Sequence, residues 1–423
     1  MSSSPRSHRY VERPERLCGG NRLELLVGGA AIFDAMLAAI AQATDSVHLT
    51  TYILCSDATG RRFGEALKAQ ARLGRDVRLM FDAVGSYDTV DDDFLTELAE
   101  AGVRVHIYRP ILPARRRLLE KLQQLHAAYE RSRKRPVRPP SRFSPDFWGF
   151  HRRNHQKILV VDRRVAFTGG VNIGDDYVDR VVDNRGVRGW HDLHVRIAGP
   201  AAITLENAFL AAWNRSGAVA KRGERETPCI DAPVKLEVCV NAEWDVVRER
   251  FRNVRRTSIR DAYFSAIRDA ERCIRIANAY FLPDRGLRKA LKRACERGVR
   301  VQVIVPRDSD VRAVFHASRY YYDELLAAGV EIHEYVGRMM HAKAAVIDSA
   351  WSTIGSFNLD QRSFRHNLEA GVHVLDAEFS ARIEAQFEED LTHCEQVSLD
   401  AWRRRSWHAR LREHLCHLFV AWM

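Results

Sequence analysis

The sequence lacks closely spaced cysteine pairs. None of its cysteines forms a Cys-x-x-Cys pair, and the eight are scattered, at positions 18, 55, 229, 239, 273, 295, 394 and 416. This scatter argues against a structural zinc site and against a disulfide framework. We therefore expect reduced thiols in a cytoplasmic protein.

Long apolar runs are lacking as well. The N-terminal stretch MSSSPRSHRYVERPERL has no apolar core of a signal peptide, and no run of about 20 uncharged apolar residues occurs anywhere. The best candidate, Leu25–Ala43, is interrupted by Asp34. Its apolar residues follow the spacing of an amphipathic helix, at Phe33, Met36, Leu37 and Ile40. The sequence predicts that the chain does not span a membrane, although it can lie on one.

Charge and length set the next limits. The 423 residues suffice for two or three domains, and 66 Lys and Arg against 55 Asp and Glu give a net charge of +11. An excess of positive charge favours an anionic partner, which includes nucleic acid, a phosphorylated substrate or an acidic lipid surface. Charge alone does not choose among these three.

One arrangement of polar residues occurs twice. Residues 154–172 are NHQKILVVDRRVAFTGGVN, and residues 340–358 are MHAKAAVIDSAWSTIGSFN. Five residue types recur at the same internal spacing: His155, Lys157, Asp162, Gly169 and Asn172 in the first copy, and His341, Lys343, Asp348, Gly355 and Asn358 in the second. The apolar residues between them differ, so the repeat has kept the polar chemistry.

The duplication extends beyond these motifs. Three pairs of segments share the order helix, glycine or turn, and β-branched strand: 33–54 with 263–282, 66–82 with 290–306, and 97–108 with 324–335. Alternating helices and strands of this kind predict two α/β units, each with a largely buried sheet.

The first unit carries an insertion. Gly102 and His155 are separated by 41 residues more than Gly329 and His341, which places the insertion at roughly Arg109–Gly149. It is strongly basic, with eleven Lys or Arg against two Glu between positions 109 and 142. Such a segment suits either a solvated helix face or contact with an anionic lipid surface.

Polar, proline-containing sequence near 221–233 indicates a domain junction. We predict a flexible tail over 1–20, a first domain over 21–222, a second domain over 223–395 and a helical tail over 396–423. The C-terminal tail mixes tryptophans with arginines, which is typical of a bilayer interface but equally compatible with packing against the protein.

The repeated His and Lys suit a phosphate. Residues i and i+2 of a strand project from one face, so His155 lies beside Lys157, and His341 beside Lys343. Lysine supplies positive charge, and an imidazole can attack phosphorus or exchange a proton at cellular pH. Amide donors from Asn172 and Asn358 complete a predicted site of two His, two Lys and two Asn around one phosphorus.

The duplicated pattern HxK(x)4D(x)6GxxN resembles that of the phospholipase D superfamily, over about residues 20–395. The stretches WHDLHVRIAGPAAITLENAFLAAW, IANAYFLPD and GSFNLDQRSFRHNLEA are more narrowly similar to bacterial cardiolipin synthases. Within these, the lack of N-terminal transmembrane helices resembles the shorter B type. Gln156 departs from the Arg frequent at that position. The resemblance implies two tandem α/β/α sandwich domains related by a pseudo-twofold axis, with one active site at their interface.

The resemblance also implies the reaction. It is a phosphatidyl transfer through a covalent phosphatidyl-histidine, with His155 as nucleophile and His341 as acid and base. No metal ion and no cofactor are expected. The implied partners are phosphatidylglycerol, with phosphatidylethanolamine as a second candidate, and an anionic membrane surface on the cytoplasmic side of the bacterial inner membrane. No nucleic-acid partner is expected, and the oligomeric state stays open.

Four carboxylates are candidate site residues. Asp162 and Asp348 belong to the motif, yet each stands at an odd offset from its histidine and opens a turn, so either a catalytic or a hairpin-stabilising role fits. Glu369 in RHNLEA and Asp192 in WHDLHV match acidic positions of the family downstream of each motif. They are expected to orient the histidines in crossed pairs, Glu369 with His155 and Asp192 with His341.

Two alternatives to phosphatidyl transfer remain. With water as acceptor, the same site would make the protein a phospholipase D or a nuclease, and loss of catalysis would leave a binding protein. Among the aromatic residues, Trp190, Trp213 and Tyr280 are predicted to lie in the core or in the wall of the site.

Overall fold

The computed structural model describes residues 9–11, 14–110, 121, 124–125, 128, 152–178, 180–181, 187–215, 234–240 and 258–418. Most of the predicted insertion Arg109–Gly149 and the predicted junction at 222–223 lie outside these residues. So do half of the residues of the predicted tail over 1–20 and the last five residues of the chain.

The first half contains nine strands and four helices among its described residues. In chain order they are β1 (Cys18–Val27), α1 (Gly29–Ala41), β2 (Ser46–Thr51), α2 (Ala58–Arg72), β3 (Asp76–Asp82), α3 (Asp92–Glu100), β4 (Arg104–Tyr108), β5 (Ile158–Val161), β6 (Val165–Gly169), β7 (Arg180–Val181), β8 (Val187–Arg188), β9 (Leu193–Ala198) and α4 (Ala201–Arg215).

The second half repeats this order and continues into further helices. Its described elements are β10 (Val234–Val240), α5 (Ser258–Asp269), β11 (Cys273–Asn278), α6 (Arg285–Glu296), β12 (Arg300–Pro306), α7 (Arg312–Arg319), α8 (Tyr322–Ala327), β13 (Glu331–Tyr335), β14 (Lys343–Ile347), β15 (Trp351–Gly355), α9 (Gln361–Arg365), β16 (Ala370–Leu375), α10 (Ala377–Leu391), β17 (Cys394–Gln396), α11 (Leu399–Arg403) and α12 (Trp407–Leu418).

Fifteen of the described strands form one sheet, in the order β17-β13-β12-β11-β14-β15-β16-β10-β1-β9-β6-β5-β2-β3-β4. Strands β1 and β10 pair antiparallel at its centre, and the six strands on one side of them mirror the six on the other, with β17 as an extra edge strand. This order is that of two copies related by an approximate twofold axis. The predicted repeat of two α/β units is confirmed.

Alternate residues of the motif strands pack into opposite layers. In β5, Leu159 and Val161 join the core beneath α1, α2 and α3, whereas Ile158 and Val160 join the core beneath α4. The sheet is therefore covered by helices on both faces, as the predicted three-layer arrangement requires. Among the described residues, no helix is long and apolar enough to cross a membrane.

Each motif aspartate sits in the tight turn of a hairpin. Asp162 and Arg163 between β5 and β6 have φ of 53° and 59°, and Asp348 and Ser349 between β14 and β15 have φ of 53° and 55°. Two successive positive φ angles are typical of the type I′ turn, which suits the twist of a hairpin. Aspartate tolerates this left-handed conformation better than most residues.

The same carboxylates hold the start of a neighbouring strand. Asp162 accepts hydrogen bonds from the backbone N–H groups of Thr44, Asp45 and Ser46 at 2.7–2.8 Å. Asp348 accepts from those of Glu271, Arg272 and Cys273 at 2.8 Å, and from the Tyr10 hydroxyl at 2.9 Å. Each aspartate thereby fastens its hairpin to the start of the second strand of its half, β2 or β11, and it does so in the same way in both copies.

The Asp348 carboxylate stabilises the fold in its ionised form. Burial acts to raise its pKa, but the hydrogen bonds from Cys273, Glu271 and Arg272 outweigh burial and lower the pKa. We expect Asp348→Asn to reduce the free energy of unfolding by about 1–3 kcal/mol at pH 7, because several N–H groups lose a charged acceptor. Urea denaturation measures the loss.

This loss has a defined pH dependence. A carboxylate with a lowered pKa contributes stability above its unfolded pKa of about 3.9 and loses it as the pH falls through the folded value. The difference between wild type and Asp348→Asn should therefore shrink below about pH 4. Asp88→Asn, at an exposed position, is the control and should leave stability unchanged. Equal stability of the Asp348 variant and wild type at pH 7 would contradict the structural role.

Candidate active site

The two halves face each other through the second strand of each motif and the strand that pairs with it. Strands β6 and β9 of the first half contact β15 and β16 of the second. Lys157 directly precedes β5 and His155 lies two residues before Lys157, whereas Lys343 begins β14 and His341 lies two residues before it. All four side chains are buried.

Backbone hydrogen bonds join the histidine segment of each half to a segment of the other half. The His155 N–H donates to the Leu368 carbonyl at 2.9 Å, and the His341 N–H donates to the His191 carbonyl at 2.7 Å. Isolated parallel bridges pair Asn154 with Leu368 and His191 with Met340. Glu369 follows Leu368, and Asp192 follows His191. Each acidic residue therefore lies beside the histidine of the opposite half.

The crossed histidine–carboxylate pairs predicted from the sequence are present. His155 Nδ1 lies 3.0 Å from Glu369 Oε2, and His341 Nδ1 lies 2.7 Å from Asp192 Oδ2. Both carboxylates are completely buried. An ionised carboxylate only accepts, so beside ionised Glu369 the Nδ1 of His155 carries the hydrogen and Nε2 keeps a lone pair. The His155 imidazole is thereby held in the tautomer that a nucleophile or base requires.

The two lysines are positioned by the same segments. Lys157 Nζ donates to the His155 carbonyl at 2.9 Å, and Lys343 Nζ donates to the His341 carbonyl. An ammonium has three donor hydrogens, so one such bond leaves two for a phosphate. Lys157 lies 5.3 Å from the centre of the Tyr52 ring, which also supports its charge.

Aromatic side chains wall the site. The Tyr52 ring lies 4.9 Å from that of His155, and the rings of Trp190, Tyr177 and Tyr280 lie 5.1, 5.7 and 6.0 Å from that of His341. Trp190 and Tyr280 are therefore wall residues.

Trp213 lies in the core and stacks on Phe209. Trp213 is therefore a core residue, whereas Trp190 and Tyr280 belong to the wall of the site.

The motif asparagines differ in their contacts. Asn172 donates from Nδ2 to the Tyr177 hydroxyl at 2.6 Å and accepts from the Ile53 N–H at 3.1 Å. It thereby holds a ring that contacts His341. Asn358 is 5% exposed, and its Oδ1 has no hydrogen-bond partner among the described residues. Binding of substrate phosphate by these amides stays a prediction.

Burial governs the protonation of the basic groups. It lowers the pKa of His155 to about 4, that of Lys157 to about 7 and that of Lys343 to about 8. Burial also holds the pKa of His341 well below its usual range, and Lys343 and Lys157 reinforce this, followed by His155. The basic groups interact electrostatically and so form one site. A bound anion would stabilise their positive charges together.

The two carboxylates differ in their surroundings. Burial raises the pKa of Asp192 to about 7. For Glu369 burial also acts upward, but His155, Lys157 and Ser356 outweigh it and lower the pKa. Glu369 is thus ionised over a wider pH range than Asp192, and the two histidines are not equivalent.

Sequence inspection missed the serines that support Glu369. Ser356 Oγ donates to Glu369 Oε2, and Ser363 Oγ donates to Oε1 at 2.9 Å. The position equivalent to Ser356 in the first copy is Gly170, where an added Cβ would lie 2.2 Å from Asp192 Oδ1. The only signal was the difference between GSFN and GGVN inside otherwise matched motifs.

Asp162 and Asp348 lie away from this cluster. Asp162 is separated from Lys157 by the whole of β5, which is roughly 16 Å of extended chain. Asp348 stands at the far end of β14 in the same way. Their contacts are those of the hairpin-stabilising role, which the sequence left open beside a catalytic one. Among the described residues, no three His, Cys, Asp or Glu side chains are grouped to hold a metal ion.

Comparisons with known proteins agree with this architecture. The family model described as "Cardiolipin synthase, PLD-like domain" matches residues 36–187 and 263–391, one segment in each half. The cardiolipin synthase of Halalkalibacterium halodurans is 29% identical over 419 residues, which are 97% of this chain and 74% of the relative. That of Geobacillus kaustophilus is 30% identical over 424 residues, with the same coverage.

A solved structure shares the fold. The crystal structure of phosphatidylserine synthase from Haemophilus influenzae superimposes with a TM-score of 0.66 at 12% identity, covering 98% of this chain and 97% of that one. At such identity the likeness concerns the fold alone. Together with the family model, it confirms the predicted two-unit phospholipase D-like architecture. The chain therefore belongs to the phospholipase D-like family of cardiolipin synthases and is an enzyme of the phosphatidyltransferase type.

Proposed function

We propose that the protein synthesises cardiolipin, by moving a phosphatidyl group from one phospholipid to the headgroup hydroxyl of another, with phosphatidylglycerol as donor or acceptor. The observation that carries this proposal is the pair of buried imidazoles, each held at Nδ1 by a carboxylate of the opposite half. Two such imidazoles beside two lysines suit one phosphodiester, which is attacked on one side and leaves on the other. The curated relatives named above are cardiolipin synthases.

In the first step, the Nε2 lone pair of His155 attacks phosphorus, and the bond to the departing alkoxide breaks. His341 donates its Nε2 proton to that oxygen. In the second step, neutral His341 takes the proton of the acceptor hydroxyl, whose oxygen displaces His155 from phosphorus. The lysine ammonium groups stabilise the charge on the phosphoryl oxygens during both displacements.

Substrate binding prepares His341 for this role. In the empty site, burial and the two lysines favour the neutral imidazole. A phosphate anion placed between the lysines offsets their charge, so it raises the pKa of His341 towards protonation. The enzyme acquires its general acid when the substrate arrives.

The unequal carboxylates support the assignment of roles. Ionised Glu369, fixed by Ser356 and Ser363, favours a fixed tautomer and a cationic phosphatidyl-imidazolium at His155. Asp192, with its pKa raised to about 7, shares a proton with His341 near neutral pH. A group that gives and takes a proton in successive steps benefits from such a partner.

The products of a vesicle assay test the proposed function. Purified protein is mixed with phosphatidylglycerol vesicles, with and without phosphatidylethanolamine, and the products are identified by mass spectrometry. Cardiolipin is expected. Phosphatidic acid without cardiolipin would show that water is the acceptor and that the protein is a phospholipase.

Both histidines should be essential. We expect His155→Ala and His341→Ala each to reduce turnover by about 10²–10⁴-fold or more, because both act in each step. His393→Ala, at an exposed position, is the control and should retain full activity. More than a tenth of wild-type turnover in either site variant would contradict the shared site. A trapped phosphatidyl adduct on His341 instead of His155 would reverse the assigned roles.

Substitutions of Glu369, which contacts His155, and of Ser356, which contacts Glu369, should reduce turnover to different degrees. Glu369→Gln replaces the carboxylate that orients His155, and we expect turnover to fall about a hundredfold or more. Ser356→Ala removes one hydrogen bond to the same carboxylate and should cost about fivefold to tenfold, near 1 kcal/mol. Steady-state kinetics on a soluble short-chain substrate measure both. Equal losses in the two variants would show that Ser356 acts on more than Glu369.

Anion binding should weaken as the pH rises. Lysine is charged below its pKa, so Lys157 with a pKa near 7 and Lys343 with a pKa near 8 lose charge in the empty site between pH 6 and 9. We expect affinity for dimethyl phosphate, whose charge is constant in this range, to fall about tenfold per pH unit for each lysine that must bind a proton. Calorimetric titration measures this slope.

Lys157→Met provides the comparison for this slope. It should reduce the slope by about one proton, since only Lys343 then needs protonation. Affinity of the wild type that does not change between pH 6 and 9 would show that the lysines stay fully charged in the empty site.

A further inference from the structure

Helix α12 (Trp407–Leu418) has its large apolar side chains towards solvent, whereas a charged residue, Glu413, lies on the face towards the protein. Four large apolar side chains point outward and are 46–65% exposed: Trp407, Leu411, Leu415 and Leu418. Glu413 is the buried residue of the helix, and Ala409, Cys416 and His417 are half-buried. This distribution is the reverse of that expected for a helix on the surface of a globular protein.

Polar contacts fasten the inner face. Glu413 accepts hydrogen bonds from Arg405, one of them at 3.2 Å, and the His417 ring stacks on that of Tyr320 at 3.9 Å. These contacts fix the rotation of the helix about its axis. The apolar residues therefore face outward as a consequence of specific packing.

The outward residues form one continuous stripe. Positions 407, 411, 415 and 418 follow the spacing i, i+4, i+8 and i+11, which places them on one side of three helical turns. We call Trp407, Leu411, Leu415 and Leu418 the α12 stripe. Single exposed leucines are ordinary on protein surfaces, but a contiguous apolar patch marks an interaction site.

Basic side chains flank the α12 stripe on both sides. At 100° per residue, Arg410 and His414 lie along one edge and His408 and Arg412 along the other, and all four are exposed. An apolar stripe between cationic edges matches the interface of an anionic bilayer, where acyl chains lie beneath negatively charged headgroups. Two copies of the stripe packed together would bring the arginines of both into repulsion, which disfavours self-association.

The helix also adjoins the active site. Cys416 packs against a small apolar cluster that contains Leu282 and Ala317 and is joined by Tyr280. The Tyr280 ring lies 6.0 Å from that of His341. One layer of side chains thus separates the inner face of α12 from the wall of the catalytic cluster.

We propose that the α12 stripe is a docking surface that enters the interface of an anionic phospholipid bilayer. Docking there brings the wall of the active site to the surface from which lipid substrates come. Docking itself is independent of the proposed function. Its use in substrate supply rests on the proposed function.

The first test removes the apolar stripe. Leu411→Gln/Leu415→Gln should weaken binding to vesicles of phosphatidylglycerol and phosphatidylcholine by about tenfold or more, as measured by co-sedimentation. Turnover of soluble short-chain phosphatidylglycerol should be unchanged, because α12 contributes no group to the site. Leu73→Gln, at a position 67% exposed in the first half, is the matched control and should bind vesicles like wild type.

The second test removes the cationic edges. Arg410→Gln/Arg412→Gln should weaken binding to the same vesicles by about fivefold for each arginine at low salt, with little change at high salt. Arg62→Gln, an exposed arginine of the first half, is the control. Binding to vesicles of phosphatidylcholine alone should be weak for every variant.

Three outcomes would overturn the proposal. The first is unchanged vesicle binding by the leucine variant. The second is a wild-type dimer in lipid-free solution that the leucine variant converts to a monomer, which would make the stripe an interface between copies. The third is an equal loss of soluble-substrate turnover and vesicle binding, which would make α12 part of the catalytic scaffold. A wild type that binds vesicles through the stripe but forms no cardiolipin would refute the proposed function alone.

Discussion

The structure depends on the hydrogen bonds by which each half holds the histidine segment of the other. The His155 N–H bonds to the Leu368 carbonyl, and the His341 N–H bonds to the His191 carbonyl. These bonds place a buried carboxylate within 3.0 Å of each imidazole Nδ1. Neither half can orient its own histidine, so the catalytic unit is the complete pair of halves.

The crossed contacts between the halves also bring buried charges of both signs together. Two buried lysines and two buried carboxylates share a small volume, and burial lowers the pKa of both lysines. Buried charges are tolerated where they are paired and hydrogen-bonded. The site is best satisfied when an anion lies between the lysines, and a phosphodiester supplies one. In the proposed mechanism, substrate binding and protonation of His341 are therefore linked by the same charges.

A buried site and a lipid substrate impose opposite demands. The catalytic strands need helices on both faces, yet under the proposed function the substrate lies in a bilayer. Helix α12 meets both demands in the proposed arrangement. Its inner face is fastened by Glu413 and His417, and its α12 stripe remains available beside the wall formed by Tyr280.

Much of this was predictable from the sequence, because it depends on local spacing. A duplicated pattern of helices and strands predicts a duplicated fold, and the i, i+2 spacing predicts that His155 and Lys157 share one face of an extended segment. The resemblance to a known family supplied the crossed partners Glu369 and Asp192. The repeat of five residues at equal offsets was sufficient to find the site.

Tertiary structure decided what local spacing leaves open. The role of Asp162 depends on N–H groups more than 100 residues away in sequence, and the support that Ser356 gives to Glu369 depends on the approach of two strands. Periodicity locates the apolar residues of α12 but cannot tell whether they face the core or the solvent. That direction is set by the contacts of Glu413 with Arg405 and of His417 with Tyr320, because only packing fixes the rotation of a helix about its axis.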